Sequence, residues 1–188
     1  MTRIAIALTP EFADWESALF SAVARSYLGA EIIIASPDGS PVTSMGGLKV
    51  MPDVAYGALD PASIDALIVP GGLSWERGGA PDFTEMVQRF RREGRVVAGI
   101  CAAASMLAGT GILNNVAHTG NSLASHRAYP AYTGADYYRD QPQAVRDQGV
   151  ITAAGTAPVS FTTEILKALN LWGPEAEAEI KAFAAEHR

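Results

Sequence analysis

Apolar residues along this chain fall into short, dense runs separated by longer segments in which they recur every three or four positions. Dense apolar runs of four to six residues are typical of strands that are covered on both faces of a sheet. The runs are residues 4–8, 31–35, 66–69, 96–100 and 150–154. Residues 116–119 form a weaker candidate strand, and the glycine-containing residues 42–51 predict a small hairpin beside the main sheet.

Segments between these runs have the spacing of amphipathic helices. The first helix is predicted over about residues 15–28, with Asp14 as a possible N-cap and Gly29 at its end. Further helices are predicted at residues 81–93, 102–108, 122–127, 158–169 and 174–188. Alternating strands and helices predict an α/β fold, a three-layer sandwich with a mostly parallel sheet and helices on both faces. No linker divides the chain, so one domain over residues 1–188 is expected.

Composition restricts the classes of function. Hydrophobic residues make up 48% and charged residues 18% of the 188 residues, which indicates a globular protein. A net charge of −6 argues against nucleic acid or an acidic membrane surface as a partner. Without a secretory signal or a membrane-length apolar run, a cytoplasmic protein with no membrane partner is expected. Neither a phosphate-binding glycine loop nor ligand spacing appears, so no cofactor and no metal is predicted.

The single cysteine, Cys101, stands between the apolar run 96–100 and the helix predicted at 102–108. A strand, a sharp turn and a helix would lift this side chain above the end of the sheet. Helix N–H groups directed at the sulfur are expected to lower the thiol pKa and to produce a reactive thiolate. The alternative is that Cys101 is a small buried hydrophobic residue.

Two other predicted strands also end near residues with possible chemical roles. Glu16 lies in the first turn of the helix after the first strand, and Gly71 and Gly72 follow the strand at 66–69. Carboxyl ends of neighbouring parallel strands meet at one sheet edge, so these residues are expected near Cys101. Glu16 could shuttle a proton to the sulfur, and N–H groups at Gly71, Gly72 and Ala102 could form an oxyanion hole. The alternatives are a carboxylate that favours the helix dipole and an ordinary glycine turn.

Histidine and tryptophan supply the remaining candidates. His118 ends the candidate strand at 116–119 and could reach the same edge as a base for Cys101, and His126 is a weaker candidate. Trp75 could form a wall of the pocket or anchor a loop at the surface. Each histidine could instead be a polar loop residue, and His187 is expected to be solvated near the C-terminus.

Three of these features together resemble the ThiJ/PfpI superfamily, which has the class I glutamine amidotransferase-like, flavodoxin-like fold. They are Glu16, the turn at residues 68–72 and the cysteine turn at residues 98–102, in the order and spacing of that group. The resemblance covers nearly the whole chain. It implies a homodimer that acts on a small molecule through Cys101 and Glu16. The group includes the parkinsonism-associated deglycase, PfpI-type proteases, glyoxalase-III-type enzymes and isocyanide hydratases.

One departure from the family pattern reduces the number of reactions that the resemblance implies. Thr119 falls where many members have a histidine, and His118 is one residue early, which would turn its side chain to the other face of a strand. A Cys–His pair, and protease chemistry with it, is therefore disfavoured. Three hypotheses remain: an enzyme acting on a small reactive carbonyl or related electrophile, glyoxalase- or hydrolase-like; a redox-sensing protein whose Cys101 becomes a sulfinate; or a chaperone-like dimeric binder.

Overall fold

A computed structural model describes residues 1–185, and its strands follow the apolar runs closely. The strands are β1 (Arg3–Ala7), β2 (Glu31–Ser36), β3 (Val42–Thr43), β4 (Lys49–Val50), β5 (Val54–Ala55), β6 (Ala66–Val69), β7 (Val96–Ile100), β8 (Val145–Asp147) and β9 (Val150–Ala153). The helices are α1 (Asp14–Ser26), α2 (Leu73–Glu76), α3 (Thr84–Arg92), α4 (Ala102–Gly109), α5 (Leu123–Arg127), α6 (Pro158–Ala168) and α7 (Pro174–Ala184). Short 3-10 turns lie at Tyr56–Ala58 and Ala135–Tyr137.

The main sheet has the strand order β5-β2-β1-β6-β7-β9-β8 within the described residues. Every neighbouring pair is parallel except β8 and β9, which are antiparallel. The strands β3 and β4 form a separate antiparallel hairpin, as the sequence predicts. The predicted α/β sandwich with a mostly parallel sheet is therefore confirmed, and the short elements β5, β8 and α2 are additions to it.

Helices bury both faces of the sheet, which explains why the strands carry almost no polar side chains. Ile4 of β1 packs in one core with Phe20 of α1 and Phe161 of α6. Leu67 of β6 packs in the opposite core with Phe90 of α3. Successive strand residues point to opposite faces, so each strand contributes to both cores.

The strand order brings three chain segments to one edge of the sheet. The strands β1, β6 and β7 are direct neighbours, with Ile6 opposite Ile68 and Ile68 opposite Ala98. Because the three strands are parallel, the segments that follow them all leave from the same edge. Those segments lead to α1, to the glycine turn after β6 and to Cys101, as the sequence predicts.

The segment after α4 differs from its prediction. Residues 116–119 do not form a strand, and only an isolated bridge joins His118 to Tyr138. The helix predicted at 122–127 is α5, and Ser122 caps it by accepting a hydrogen bond from the Ser125 N–H at 3.1 Å. The last helix is observed as far as Ala184, and the predictions for residues 186–188, with His187, lie outside the described residues.

Asp14 has a different role from the helix cap that its position suggests. Ala13 is the N-cap of α1, and its side chain has no capping group. The Asp14 carboxylate instead accepts hydrogen bonds from the Ser44 hydroxyl and, at 2.8 Å, from the Gly46 N–H. These bonds tie the β3–β4 hairpin to the start of α1. No helix between residues 1 and 185 combines the length and the apolar character that crossing a bilayer requires.

Because helices pack on both faces of the sheet, we expect Phe161 to stabilise the packing of α6 against it. Phe161 is fully buried, whereas Phe183 in α7 is 50% exposed. Phe161→Ala should lower the free energy of unfolding by about 3–5 kcal/mol, because it removes buried apolar surface and leaves a cavity. Phe183→Ala, the control, should change it by about 0.5 kcal/mol or less. Denaturant unfolding followed by circular dichroism measures both, and equal losses would contradict this packing.

Candidate active site

Cys101 occupies the sharp turn between β7 and α4. Its backbone has φ 60° and ψ −129°, a left-handed conformation that costs about 1–3 kcal/mol for a non-glycine residue. Hydrogen bonds hold the turn: the Cys101 N–H donates to the Ala153 carbonyl at 2.9 Å, and the Cys101 carbonyl accepts from the Ala104 N–H at 3.1 Å. The end of β9 and the first turn of α4 therefore fix the backbone, and the thiol is left partly exposed.

Glu16 meets the thiol from the first turn of α1. Its side chain is 1% exposed, and Oε2 accepts a hydrogen bond from the Gly71 N–H at 2.5 Å. Oε1 is buried without a nitrogen or oxygen partner among the described residues, and the Cys101 thiol is its polar neighbour. The structure thus brings together Glu16, Gly71 and Cys101 from three separate strand ends.

Two glycines make room for this contact. A Cβ on Gly71 would lie 2.7 Å from the Cys101 Cβ, and a Cβ on Gly155 would lie 2.8 Å from the Cys101 Sγ and 3.1 Å from the Glu16 Oε1. Real side chains do not approach so closely, so any residue other than glycine would push the pair apart. Gly155 was not among the candidates, because its closeness to Cys101 arises only from the β7–β9 pairing.

The ionisation of the pair is governed by burial. Burial raises the pKa of the Glu16 carboxyl to about 7. Burial, together with the negative charge of Glu16, raises the pKa of the Cys101 thiol to about 11. The prediction of a lowered thiol pKa is therefore wrong, because the Ala102 N–H and the Asn121 amide, which do lower it, are outweighed. Between these two pKa values the pair holds one proton, with the Glu16 carboxyl ionised and the Cys101 thiol protonated.

His118 does not reach the thiol. Its ring is buried, Nδ1 donates to the Val116 carbonyl at 2.8 Å, and Nε2 accepts from the Tyr132 hydroxyl at 2.8 Å. Both ring nitrogens are thus engaged away from Cys101, and burial lowers the pKa of His118. His118 is therefore not the base for Cys101 that its position allowed, in agreement with its one-residue offset from the family histidine, and the strand predicted at 116–119 does not form.

His126 is also occupied by other groups. Its ring stacks on His118 with 5.5 Å between ring centres. Nε2 donates to the Thr119 carbonyl at 3.3 Å, and Nδ1 accepts from the Ser105 hydroxyl at 3.2 Å. Burial lowers the pKa of His126 to about 4, so the ring is neutral at physiological pH.

Asn121 reaches the sulfur instead of a histidine. Its side-chain Nδ2 lies 3.3 Å from the Cys101 Sγ, and its Oδ1 accepts a hydrogen bond from the Gly155 N–H at 3.0 Å. The Trp15 indole N–H donates to the Gly155 carbonyl at 2.9 Å on the other side. Asn121 was not expected at the thiol, because a base rather than an amide is the usual partner of a nucleophilic cysteine. The available signal was a polar residue two positions after the histidine position of the family.

Trp75 is held by contacts with the turn after β6 and with Phe83. Its indole N–H donates to the Pro70 carbonyl at 3.2 Å, and its ring packs 5.1 Å from that of Phe83. It lines a hollow of about 340 Å³ together with Met106 and Tyr129, and Cys101 is not among the residues that line this hollow. These contacts support the alternative that Trp75 anchors its loop, and its role as a wall of the Cys101 pocket stays a prediction.

The three backbone N–H groups predicted to bind an oxyanion, those of Gly71, Gly72 and Ala102, differ in what already surrounds them. The Gly71 N–H is already bound by Glu16, so it is not free for a substrate oxygen. Gly72 has φ 149°, and a Cβ there would lie 2.3 Å from the Glu11 carbonyl oxygen, so glycine is required by the backbone alone. The Ala102 N–H is directed at the Cys101 sulfur, where it lowers the thiol pKa. Oxyanion binding at Gly72 and Ala102 stays a prediction.

Within residues 1–185, no group of three or more His, Cys, Asp and Glu side chains is arranged to hold a metal ion. The polar groups of the site, a carboxyl, a thiol and an amide, are those of acid–base and nucleophilic chemistry on a small electrophile.

Comparison with known proteins agrees with this architecture. The crystal structure of the DJ-1 superfamily protein Atu0886 from Agrobacterium tumefaciens is 71% identical, covers 100% of both chains and superposes with a TM-score of 0.99. The uncharacterized protease YdeA of Bacillus subtilis (strain 168) is 32% identical over 175 residues, 93% of this chain and 87% of YdeA. YoaZ of the same organism, also named an uncharacterized protease, is 35% identical over 135 residues, 71% of this chain and 64% of YoaZ. The model of the DJ-1/PfpI family matches residues 2–168, and the chain therefore belongs to that family.

Proposed function

We propose that this protein is a cysteine-dependent enzyme that acts on a small reactive carbonyl compound, such as an α-oxoaldehyde, through Cys101 and Glu16. The observation that carries the proposal is the buried Glu16 carboxyl, which is anchored by the Gly71 N–H and faces the thiol with its free oxygen. Two relatives lend support by name: the glutathione-independent glyoxalase DJR-1.2 of Caenorhabditis elegans and the deglycase PfpI of Pyrococcus furiosus.

The proposed first step is addition of the thiol to the carbonyl carbon. A bond forms between the Cys101 Sγ and that carbon, and the π electron pair of the carbonyl moves to its oxygen. The proton of the thiol passes to Glu16 and from there to the new alkoxide, which gives a neutral hemithioacetal. A carboxyl whose pKa is about 7 suits this role, since it accepts and releases a proton near neutral pH. The N–H groups of Gly72 and Ala102 are the proposed donors to the developing oxyanion.

A homodimer is part of the proposal, and exposed apolar side chains support it. Trp15 is 49% exposed, Met45 41% and Leu48 61%. Trp15 follows Asp14, whose carboxylate binds Ser44 and Gly46 of the hairpin, so these apolar side chains come from neighbouring parts of the surface. A second copy covering them would remove apolar area from water.

Substitution of the two central residues tests the enzyme hypothesis. Cys101→Ser should abolish turnover of small α-oxoaldehydes such as methylglyoxal, because the hydroxyl is a far poorer nucleophile than the sulfur. Glu16→Gln should lower kcat about 100-fold or more, because an amide cannot carry the proton. Loss of substrate and formation of product are measured together, so that simple trapping of the aldehyde is not counted as turnover.

An exposed variant, Glu85→Gln in α3, is the control and should keep full activity. Absence of turnover across a panel of aldehydes, amides and isonitriles would contradict the enzyme hypothesis. Selective oxidation of Cys101 by mild peroxide without any turnover would then favour the redox-sensing hypothesis. Suppression of client aggregation that survives Cys101→Ala would favour the chaperone-like binder.

The raised pKa of Glu16 predicts a specific dependence of stability on pH. The folded state holds this proton more tightly than the unfolded state does, with a pKa of about 7 against 4.5. The stabilising contribution is complete below pH 4.5 and is lost as the pH rises through about 7. As the pH rises from 4.5 to 8, the free energy of unfolding of the native protein should therefore fall by about 3 kcal/mol relative to that of Glu16→Gln, whose amide does not titrate.

Denaturant unfolding at several pH values measures this difference. The same control, Glu85→Gln, should follow the pH profile of the native protein, because Glu85 is exposed. A constant difference between Glu16→Gln and the native protein across the range would show that Glu16 titrates alike in both states.

The homodimer is tested by molar mass in solution. Light scattering coupled to size exclusion should give twice the 19.8 kDa of one chain. Leu48→Lys should shift the equilibrium towards the monomer, since a buried unpaired ammonium is costly at an interface. Phe183→Lys, at a similarly exposed position in α7, is the control and should leave the mass unchanged. A native mass of one chain at micromolar concentration would contradict the dimer.

A further inference from the structure

Asn121 lies at the thiol without a role in the chemistry described so far. The residue follows Gly120 in the irregular segment between α4 and α5, and its amide Nδ2 is 3.3 Å from the Cys101 Sγ. Glu16 approaches the sulfur from α1, and the backbone of Gly155 lies close to both the Sγ and the Glu16 Oε1. Two side chains therefore reach the sulfur: the Glu16 carboxyl, which can accept a proton, and the Asn121 amide, which cannot.

The orientation of the Asn121 amide is fixed by its surroundings. The Gly155 N–H can only donate a hydrogen bond, so the atom that it meets at 3.0 Å must be the carbonyl oxygen, Oδ1. The NH₂ group is then the one directed at the Cys101 sulfur, which must act as the acceptor. A neutral thiol is a weak acceptor, whereas a thiolate is a strong one, so this contact favours the charged form of the sulfur.

The loop that carries Asn121 packs on the buried ring of His126. The His126 Nε2 donates to the Thr119 carbonyl, and a Cβ on Gly120 would lie 2.4 Å from the His126 Cε1. The Tyr138 hydroxyl donates to the Gly120 carbonyl at 3.3 Å. These contacts set the path of the backbone immediately before Asn121. The buried imidazole of His126 therefore stabilises the loop conformation, a role that involves no proton transfer.

We propose that Asn121 is a further catalytic residue, whose amide, fixed by the Gly155 N–H, donates a hydrogen bond that stabilises negative charge on the Cys101 sulfur. This inference rests on the proposed function for its use in turnover. In the addition step, Glu16 receives the proton of the thiol while Asn121 stabilises the electron pair left on sulfur. The amide has no basic nitrogen, so it contributes charge stabilisation and leaves all proton movement to Glu16.

Alkylation of the thiol tests Asn121 without a substrate. Cys101 is the only cysteine in the chain, so the rate of iodoacetamide modification, followed by intact mass, reports this sulfur alone. Below the midpoint of the pH profile, that rate is proportional to the fraction of thiolate. At a fixed pH below that midpoint, Asn121→Ala should lower the rate about tenfold, since the donor that stabilises the thiolate is lost. Asn121→Asp should lower it further, because a carboxylate would face the sulfur.

Ser122→Ala is the matched control, because it removes the cap of α5 next to Asn121 without touching the sulfur. Its alkylation profile should overlay that of the native protein. Profiles of Asn121→Ala and Asn121→Asp that overlay the native one would overturn the proposal. An equal slowing in Ser122→Ala would overturn it as well, since the effect would then come from a loosened loop.

A measurement on the native protein covers the case in which a variant does not fold. At one neutral pH, the side-chain NH₂ resonances of Asn121 should differ between the native protein and the protein whose Cys101 has been alkylated, because alkylation removes the sulfur acceptor. Resonances that ignore the state of the sulfur would contradict the hydrogen bond. If the aldehydes are not turned over but these shifts and rates change as expected, the proposed substrate is wrong and the role of Asn121 stands.

Discussion

A carboxyl group buried against a thiol is the interaction on which the site depends. Glu16 is 1% exposed, and a single backbone N–H, that of Gly71, satisfies one of its oxygens. Burying a carboxylate with so little compensation is costly, so the group favours the protonated form and its pKa rises. The proton that remains lies next to Cys101. The proposed proton transfer from Cys101 to Glu16 depends on this buried carboxyl beside the sulfur.

The backbone around the pair is arranged to keep this contact close. Cys101 adopts a left-handed conformation that β7, β9 and α4 hold in place, and Gly71 and Gly155 leave no side chain between the carboxyl and the sulfur. These features come from distant parts of the chain and are joined only through the parallel strand order. A rigid sheet is consequently what allows a strained turn and an unfavourably buried acid to persist together.

Much of the fold could be predicted from sequence, because its strands are dense apolar runs, whereas its helices show apolar residues only every three or four positions. The meeting of Glu16, Gly71 and Cys101 also followed from the rule that parallel strands end at one edge. The placement of His118 did not, because residues 116–138 lack any hydrophobic period and a single residue of register decides which way a side chain points. The sign of the thiol pKa shift failed for a related reason: helix N–H groups are visible in the sequence, whereas desolvation by residues from other segments is not.

The contrast between Asn121 and the two histidines shows how position changes the meaning of a residue type. Histidine is the usual base for a cysteine, yet here both imidazoles are buried, stacked and hydrogen-bonded to other groups, and that of His126 packs under the loop that carries Asn121. The side chain that reaches the sulfur from this segment, Asn121, donates a hydrogen bond but can neither give up nor take a proton. In the proposed chemistry, a peptide substrate would need a proton donor for its leaving amine, and Asn121 cannot supply one. Addition to a small carbonyl, in which one proton moves a short distance, needs only the carboxyl that the site provides.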